Sequence, residues 1–315
     1  MKFRKMLMIG IDESKFDPEY WNKISLLSSE GKILPKDSHE IRKELTDTDC
    51  LLLGFGININ REDIDNAPNL KYIGVLATAY GKVDIDYARS KGVTVCNIPG
   101  YSTEAVAEFV LAAILENIRC LEEGKQRGII GNYSETGISA SEIKDKIFGI
   151  VGLGRIGGRV AELALGFGAD VRYWSRNRKG VFENKGIKYE DADSLIPKCD
   201  FLSLNLAQTN ETEKFLNEEL IKKVKSGAIV INTAPMELVD IDALADRLEK
   251  GDITFILDHS DETPPEQLKK LSKYKNCIIY PPIAYITAEA RIAKQDIFLS
   301  NLENFLKGTP TNEVN

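Results

Sequence analysis

Histidine is almost missing from this chain of 315 residues: His39 and His259 are the only two. A side chain that titrates near neutrality is therefore available at just two places. The five cysteines, Cys50, Cys96, Cys120, Cys199 and Cys277, stand apart among apolar neighbours, without metal or redox spacing. They read as reduced core thiols, which suits a cytoplasmic protein and offers no metal centre. No apolar run approaches the roughly 20 residues that a membrane helix needs. The short apolar run at 6–9, behind Lys2, Arg4 and Lys5, leads straight into Asp12-Glu13, unlike a secretion signal. A positive balance is lacking too. With 41 basic against 48 acidic residues and a net charge of −7, the chain has no electrostatic footprint for nucleic acid or an anionic membrane.

What is present is a glycine turn. The apolar run Ile147-Phe148-Gly149-Ile150-Val151 reads as a buried strand and enters Gly152-Leu153-Gly154-Arg155-Ile156-Gly157, followed by Val160, Leu163, Ala164 and Phe167 at helical spacing. Strand, Gly-x-Gly-x-x-Gly and helix in register form a dinucleotide fingerprint. Gly152 permits the tight turn, Gly154 admits a pyrophosphate, and Gly157 allows helix and strand to pack closely. The first-turn N–H groups of the helix then face the phosphates. The next strand, Asp170-Val171-Arg172-Tyr173-Trp174, ends in Ser175-Arg176-Asn177-Arg178-Lys179. An NAD site places an acidic residue at this strand end for the ribose 2′-OH, but here stands Ser175. Arg176 and Arg178 would instead attract a 2′-phosphate, so NADP(H) is favoured over NAD(H). The alternative is a solvated basic loop.

Along the rest of the chain, strands and helices alternate. Residues 5–9 read as a strand and 18–28 as a helix around Trp21, Ile24 and Leu27. Residues 33–34 and 50–53 read as buried strands, with Ile41 and Leu45 at helical spacing between them. Helices over 61–67 and 83–90 alternate with strands over 70–76 and 93–96, which implies an α/β fold with an open, parallel sheet. A long helix starts after Tyr101, with Ser102 and Thr103 as capping signals. Strands follow at 201–206, 228–232 and 255–258. A last helix, 288–306, carries Ile292, Ile297, Leu299, Leu302, Phe305 and Leu306 as an apolar stripe.

Three segments carry a family resemblance, in order along essentially the whole chain. Pro99-Gly100-Tyr101-Ser102-Thr103-Glu104-Ala105-Val106-Ala107-Glu108, the glycine turn at 149–157, and Asn232-Thr233-Ala234 with Glu237-Leu238-Val239-Asp240 resemble the D-isomer-specific 2-hydroxyacid dehydrogenases. Glyoxylate/hydroxypyruvate reductases are the most similar in pattern, and Trp174-Ser175-Arg176 resembles their NADP-using branch. The resemblance implies two doubly wound parallel-sheet domains, with a Rossmann cofactor domain at 100–285 inserted into a flavodoxin-like substrate domain of 1–99 and 286–315. It further implies an active cleft between the domains, a homodimer formed through the cofactor domain, and a small-molecule substrate. Backbone N–H groups of Ala77, Thr78 and Ala79, with Tyr80 and Lys82 nearby, would hold the substrate carboxylate. Besides Gly152, Gly154, Arg155, Ile156 and Gly157, the implied cofactor contacts are Leu206 and Thr212 on the adenosine side. Thr233, Ala234 and Asp258 would serve the nicotinamide end. Asp258 would accept from the carboxamide, or else cap a loop.

The chemistry of the family is where the pattern breaks. An Arg expected after Asn232-Thr233-Ala234 is replaced by Pro235, followed by Met236, which would make the pocket less polar. The general-acid His expected in Pro281-x-Ile283-Ala284 is replaced by Pro282, and the position of its partner Glu falls on Thr263, one residue past Glu262. Proline has no side-chain donor and no N–H, and losing a general acid alone removes a factor of roughly 10²–10⁴ in rate. The replacement donors within reach of the same segments are Tyr285, His259 and Glu262, with Asp261, Lys82, Tyr80 and Tyr101 as further polar groups; each also has an ordinary structural reading. Three functions stay open. The first is an NADP-dependent oxidoreductase of altered specificity, acting on a small carbonyl or imine. The second is a non-catalytic dinucleotide-binding sensor or interaction protein. The third is an ordinary 2-keto acid reductase with a relocated acid.

Overall fold

In the computed structural model, which describes residues 1–80 and 82–315, the apolar runs of the N-terminal part become five parallel strands. They are β1 (Phe3–Ile9), β2 (Ser28–Leu34), β3 (Cys50–Leu53), β4 (Tyr72–Val75) and β5 (Thr94–Cys96). Their order, β2-β1-β3-β4-β5, is that of flavodoxin-like sheets. The central strands β3 and β4 are buried along their whole length, which is why they read as unbroken apolar runs. The helix Ala288–Leu306 returns to this sheet. It buries Phe298, Leu299 and Leu302 with Phe3, Met6, Met8 and Phe16. Its Asn301, 1% exposed, donates to the Asn97 carbonyl at 2.7 Å and accepts from Asn312 at 2.8 Å, tying the C-terminal tail to the strand it follows.

Seven further strands form a second parallel sheet: β6 (Ile147–Val151), β7 (Asp170–Trp174), β8 (Lys188–Tyr189), β9 (Phe201–Leu204), β10 (Ile229–Asn232), β11 (Thr254–Leu257) and β12 (Cys277–Ile279). The order is β12-β11-β10-β9-β6-β7-β8, so winding reverses between β6 and β9. That reversal is the switch point at which open α/β sheets bind ligands. The helix Thr103–Ile118 buries Ala107, Val110 and Ile114 with Val160, Ala161 and Ala164 of the helix Arg155–Gly166. By packing, the chain divides into Met1–Ser102 with Thr287–Asn315, and Thr103–Ile286. No helix among the described residues is long and apolar enough to cross a membrane.

Local expectations differ from the structure at several places. The helix expected to reach residue 28 is Pro18–Ser25. The Leu27 carbonyl accepts from the Phe3 N–H at 2.8 Å, which draws the following residues into β2. Strand β2 is an edge strand, so Ile33 is 45% exposed and not buried. On the last helix Ile292 is 47% exposed, and the buried stripe runs through Phe298 instead. Phe167 ends its helix as an exposed cap residue. Cys120 is not a core thiol: it takes φ +52° before the helix Leu121–Ile129. The other four cysteines are buried, and burial pushes the Cys96 thiol up to about 11 and those of Cys199 and Cys277 up to about 12.

Candidate functional site

At the end of β6 three backbone segments meet at distances that admit no side chain. Gly152 takes φ +94°, and a Cβ there would stand 2.8 Å from the Asn205 carbonyl group after β9. A Cβ on Gly157 would lie 2.0 Å from the Gly152 carbonyl oxygen. Gly154 is different. Its φ of −86° suits any residue, and a Cβ would meet no protein atom within 4 Å. Protein packing therefore explains Gly152 and Gly157 but not Gly154, where the open backbone leaves room for a ligand.

The helix Arg155–Gly166 begins at Gly154 without a side-chain cap, and its first backbone bond is from the Gly158 N–H to Gly154. The N–H groups of Arg155, Ile156 and Gly157 donate to no acceptor among the described residues, which leaves a helix N-terminus suited to an anion. Beside it, the Asn205 Oδ1 is buried without a partner, while its Nδ2 donates to the Ser203 carbonyl and hydroxyl. Leu206 is half-buried and its Cδ2 lies 3.0 Å from the same Gly152 Cβ position. These features fit a pyrophosphate and ribose across the switch point.

At the end of β7 the two arginines differ. Ser175 is buried and donates to the Asn177 carbonyl at 2.6 Å, closing the turn. Arg176 is exposed and meets Glu211 at 3.1 Å. Arg178 forks onto Glu183 and stacks over Tyr189, while the Tyr173 hydroxyl also donates to Glu183. The Arg178 guanidinium and then the Tyr173 hydroxyl hold the Glu183 carboxyl down at about 2. Both guanidinium groups are exposed, but Arg178 makes two bonds to a partly buried Glu183 and stacks on Tyr189. Arg176 has one contact to an exposed Glu211, a pair worth about 0–1 kcal/mol that can open. Sequence reasoning missed both acids, although Glu183 sits within a helical turn or so of Arg178. Thr212 is buried and donates to the Ala207 carbonyl at 2.8 Å, so it braces the loop after β9.

The ends of β10 and β11 are cross-tied. Asn232 is fully buried, and its amide bonds Ala234 through both carbonyl and N–H, shaping the turn into Pro235. Met236 is 3% exposed, packs mainly in the core 3.2 Å from the Asn232 Nδ2, and borders a cleft whose other walls include the polar Glu213, Glu237 and Glu262. Asp258, 3% exposed, accepts from the Ile283 and Ala284 N–H groups at 3.0 and 3.1 Å through Oδ1. It therefore caps the loop just after Pro282. Burial raises its carboxyl above the usual range, and these two N–H bonds oppose the rise. His259 places Nε2 3.1 Å from the Thr233 carbonyl and Nδ1 3.5 Å from Glu262. The second distance is an ion-pair contact and not a good hydrogen bond, consistent with a buried Nδ1 that lacks a hydrogen-bond partner. Burial alone would lower the imidazolium, but the contact and charge of Glu262, with Asp258 and Asp261, outweigh it and raise the ring above its ordinary value. Thr263 turns inward and donates to the His259 carbonyl at 2.6 Å, which leaves Glu262 as the carboxylate facing the ring. Tyr285 is part-exposed, and burial with the charges of Asp261 and Asp258 raises its phenol, making it a poorer acid.

In the N-terminal unit, Ala77, Thr78, Ala79 and Tyr80 form the loop after β4. Thr78 donates its hydroxyl to the Ile98 carbonyl and accepts at its own carbonyl from Asn97. The N–H groups of Thr78, Ala79 and Tyr80 donate to no acceptor among the described residues, an arrangement that suits a carboxylate.

An α/β chain with a switch-point glycine turn and an uncapped helix N-terminus defines the dinucleotide-binding oxidoreductases as its class. The chain belongs to the D-isomer-specific 2-hydroxyacid dehydrogenase family: the family's NAD binding domain matches residues 111–284. A hydroxypyruvate reductase of Blautia hydrogenotrophica is 33% identical over 288 residues, 89% of this chain and 88% of that protein. Among solved structures, D-lactate dehydrogenase from Aquifex aeolicus, complexed with NAD and lactic acid, superposes with a TM-score of 0.84 at 29% identity, over 96% of both chains. An acyclic imino acid reductase (Bsp5), in complex with NADPH and D-Arg, gives a TM-score of 0.84 at 26% identity, over 98% of this chain and 100% of that one. The protein is thus a D-2-hydroxyacid dehydrogenase-type oxidoreductase that takes a nicotinamide cofactor.

The two kinds of glycine separate on substitution. Gly157→Ala forces a backbone clash and is expected to lower unfolding stability by about 3 kcal/mol, whereas Gly154→Ala changes it by less than about 0.5 kcal/mol. Urea denaturation of both variants checks this, and equal losses would contradict the assignment of Gly154 to a ligand.

Proposed function

We propose that this protein is an NADP(H)-dependent reductase whose substrate is the imine, and not the ketone, of a small 2-oxo acid. The observation that carries the reading is the pair Pro235 and Pro282 beside an intact dinucleotide turn. When bound, NADPH supplies a hydride to the substrate carbon. A ketone oxygen also needs a proton as the bond forms, and this chain has neither the Arg nor the His that polarise it. An iminium nitrogen already carries its proton and positive charge. Hydride addition turns it directly into an amine, so the missing donor costs little. The relative that binds NADPH and D-Arg supports an imine within this fold. The chain's own tasks are then to hold and orient. In the N-terminal unit the N–H groups of Thr78, Ala79 and Tyr80 suit a carboxylate; in the cofactor unit Asp258 fixes the loop bearing Pro282 and would present its buried edge to the carboxamide. Arg155, Ile156 and Gly157 hold the pyrophosphate, with Leu206, Thr212, Thr233 and Ala234 shaping the two flanks.

NADPH oxidation with glyoxylate or pyruvate should be slow alone and should rise at least tenfold when ammonium or methylamine is added. Brisk turnover of the keto acid without an amine would overturn the reading. The double variant Pro235→Arg/Pro282→His is expected to gain keto-acid reduction in the absence of amine.

The NADP preference rests on Ser175 at the acidic position and on Arg176, the arginine held only by an exposed pair. NADPH should bind at least tenfold more tightly than NADH, and Arg176→Ala should remove most of that difference, about 1.4 kcal/mol. Equal affinities for the two cofactors in the unaltered protein would count decisively against it.

Homodimerisation through the cofactor unit is supported by Leu121, Ile129, Ile130 and Tyr133, each more than half exposed on one short segment. Analytical ultracentrifugation should give twice the chain mass of 35.1 kDa, and a monomer at micromolar concentration would refute it.

A further inference from the structure

Next to Asp258, His259 carries contacts that the hydride chemistry leaves without a task. Asp258 ties the segment behind Pro282, and His259 ties the segment ahead of Pro235. A dinucleotide crosses the switch point with one nucleotide over each half of the sheet. With the 2′-phosphate end at β7, the nicotinamide half would lie toward the ends of β10 and β11. Thr233, the first residue past β10, is therefore the peptide against which that half rests.

We propose that His259 is a positioning residue for the nicotinamide half of the cofactor, its ring bridging the Glu262 carboxylate and the Thr233 carbonyl and so setting the height of the Thr233 peptide. The inference rests on the cofactor reading given above. Its chemistry follows from the two ring nitrogens. The imidazolium has two N–H groups, one for Thr233 and one for Glu262. The neutral ring has one. If it stays on Nε2, a bare Nδ1 faces a carboxylate; if it moves to Nδ1, a bare Nε2 faces a carbonyl oxygen. Either way one side of the bridge becomes repulsive. The charged groups acting on the ring are Glu262, Asp258 and Asp261, all acidic. From the neighbouring loops come the Thr233 carbonyl and the neutral Tyr285 phenol, which senses Asp261 and Asp258. Because the folded-state value is raised, the bridge is complete below the ordinary histidine value of about 6.5 and is lost as pH rises through the raised value.

The test is the NADPH dissociation constant of the full chain, followed by fluorescence between about pH 5.5 and 9, a range spanning the ordinary histidine value. His259→Gln keeps one donor for Thr233 and has no ring to titrate. It also carries the same pH response of the 2′-phosphate, and so serves as baseline. The unaltered protein should match His259→Gln or bind more tightly at the acid end, then lose about three- to tenfold relative to it as pH rises. Glu262→Gln, which can donate to Nδ1, should flatten that relative profile. His259→Ala should bind about tenfold more weakly at every pH while its melting temperature without cofactor stays near that of His259→Gln. Parallel profiles for the unaltered protein and His259→Gln would overturn the proposal, as would His259→Ala binding as tightly as His259→Gln. Failure of the unaltered protein to bind either cofactor at any pH would overturn the cofactor reading along with it, whereas tight binding with parallel profiles overturns this inference alone.

Discussion

Everything in the cofactor unit depends on a backbone crossing that tolerates no side chain. The turn after β6, the first turn of the following helix and the exit from β9 converge so closely that Gly152 and Gly157 have no room for a methyl group. The winding order of the parallel strands reverses at the same point, between β6 and β9. Helix dipole, uncapped N–H groups and strand ends are thereby aimed at one place, and the unpartnered Asn205 oxygen lies beside it. Gly154 shares the motif but not the constraint. It is the one glycine of the three that packing does not require, which separates fold from ligand within six residues.

A second set of contacts governs the chemistry. Asp258 and His259, adjacent in sequence, hold the two proline-bearing segments through backbone groups: N–H groups behind Pro282 and a carbonyl ahead of Pro235. In both segments the side chains expected in the family are replaced by rings that can donate nothing. The scaffold around them is nonetheless fully braced, by the Asn232 amide on one side and the buried Asp258 carboxylate on the other. Each tie gives a buried polar group its partner, which the fold requires in its own right.

Much of this was legible in the sequence. Strands buried on both faces read as unbroken apolar runs, so β3 and β6 were found to the residue. The glycine turn was legible because each glycine answers a different steric demand. Edges and ends were not. Ile33 and Ile292 are apolar yet exposed, because period and hydropathy do not tell an edge strand or a helix's outer face from its inner one. Nor can composition say how much of an apolar side chain turns into the core, as most of Met236 does.

From residue type and spacing came the family pattern, an open parallel sheet and the dinucleotide turn, and the resemblance to the family then implied the second sheet and exposed the missing Arg and His. The tertiary structure alone decided which groups are free to act. It committed Arg178 to Glu183 and left Arg176 in an exposed pair, turned Thr263 inward and Glu262 toward His259, and set Asp258 on the loop behind Pro282. Residue spacing does not give those choices: some partners are a few residues away but picked out by the local turn, as for Arg178 and Thr263, and others come from distant loops, as for Asp258 with Ile283.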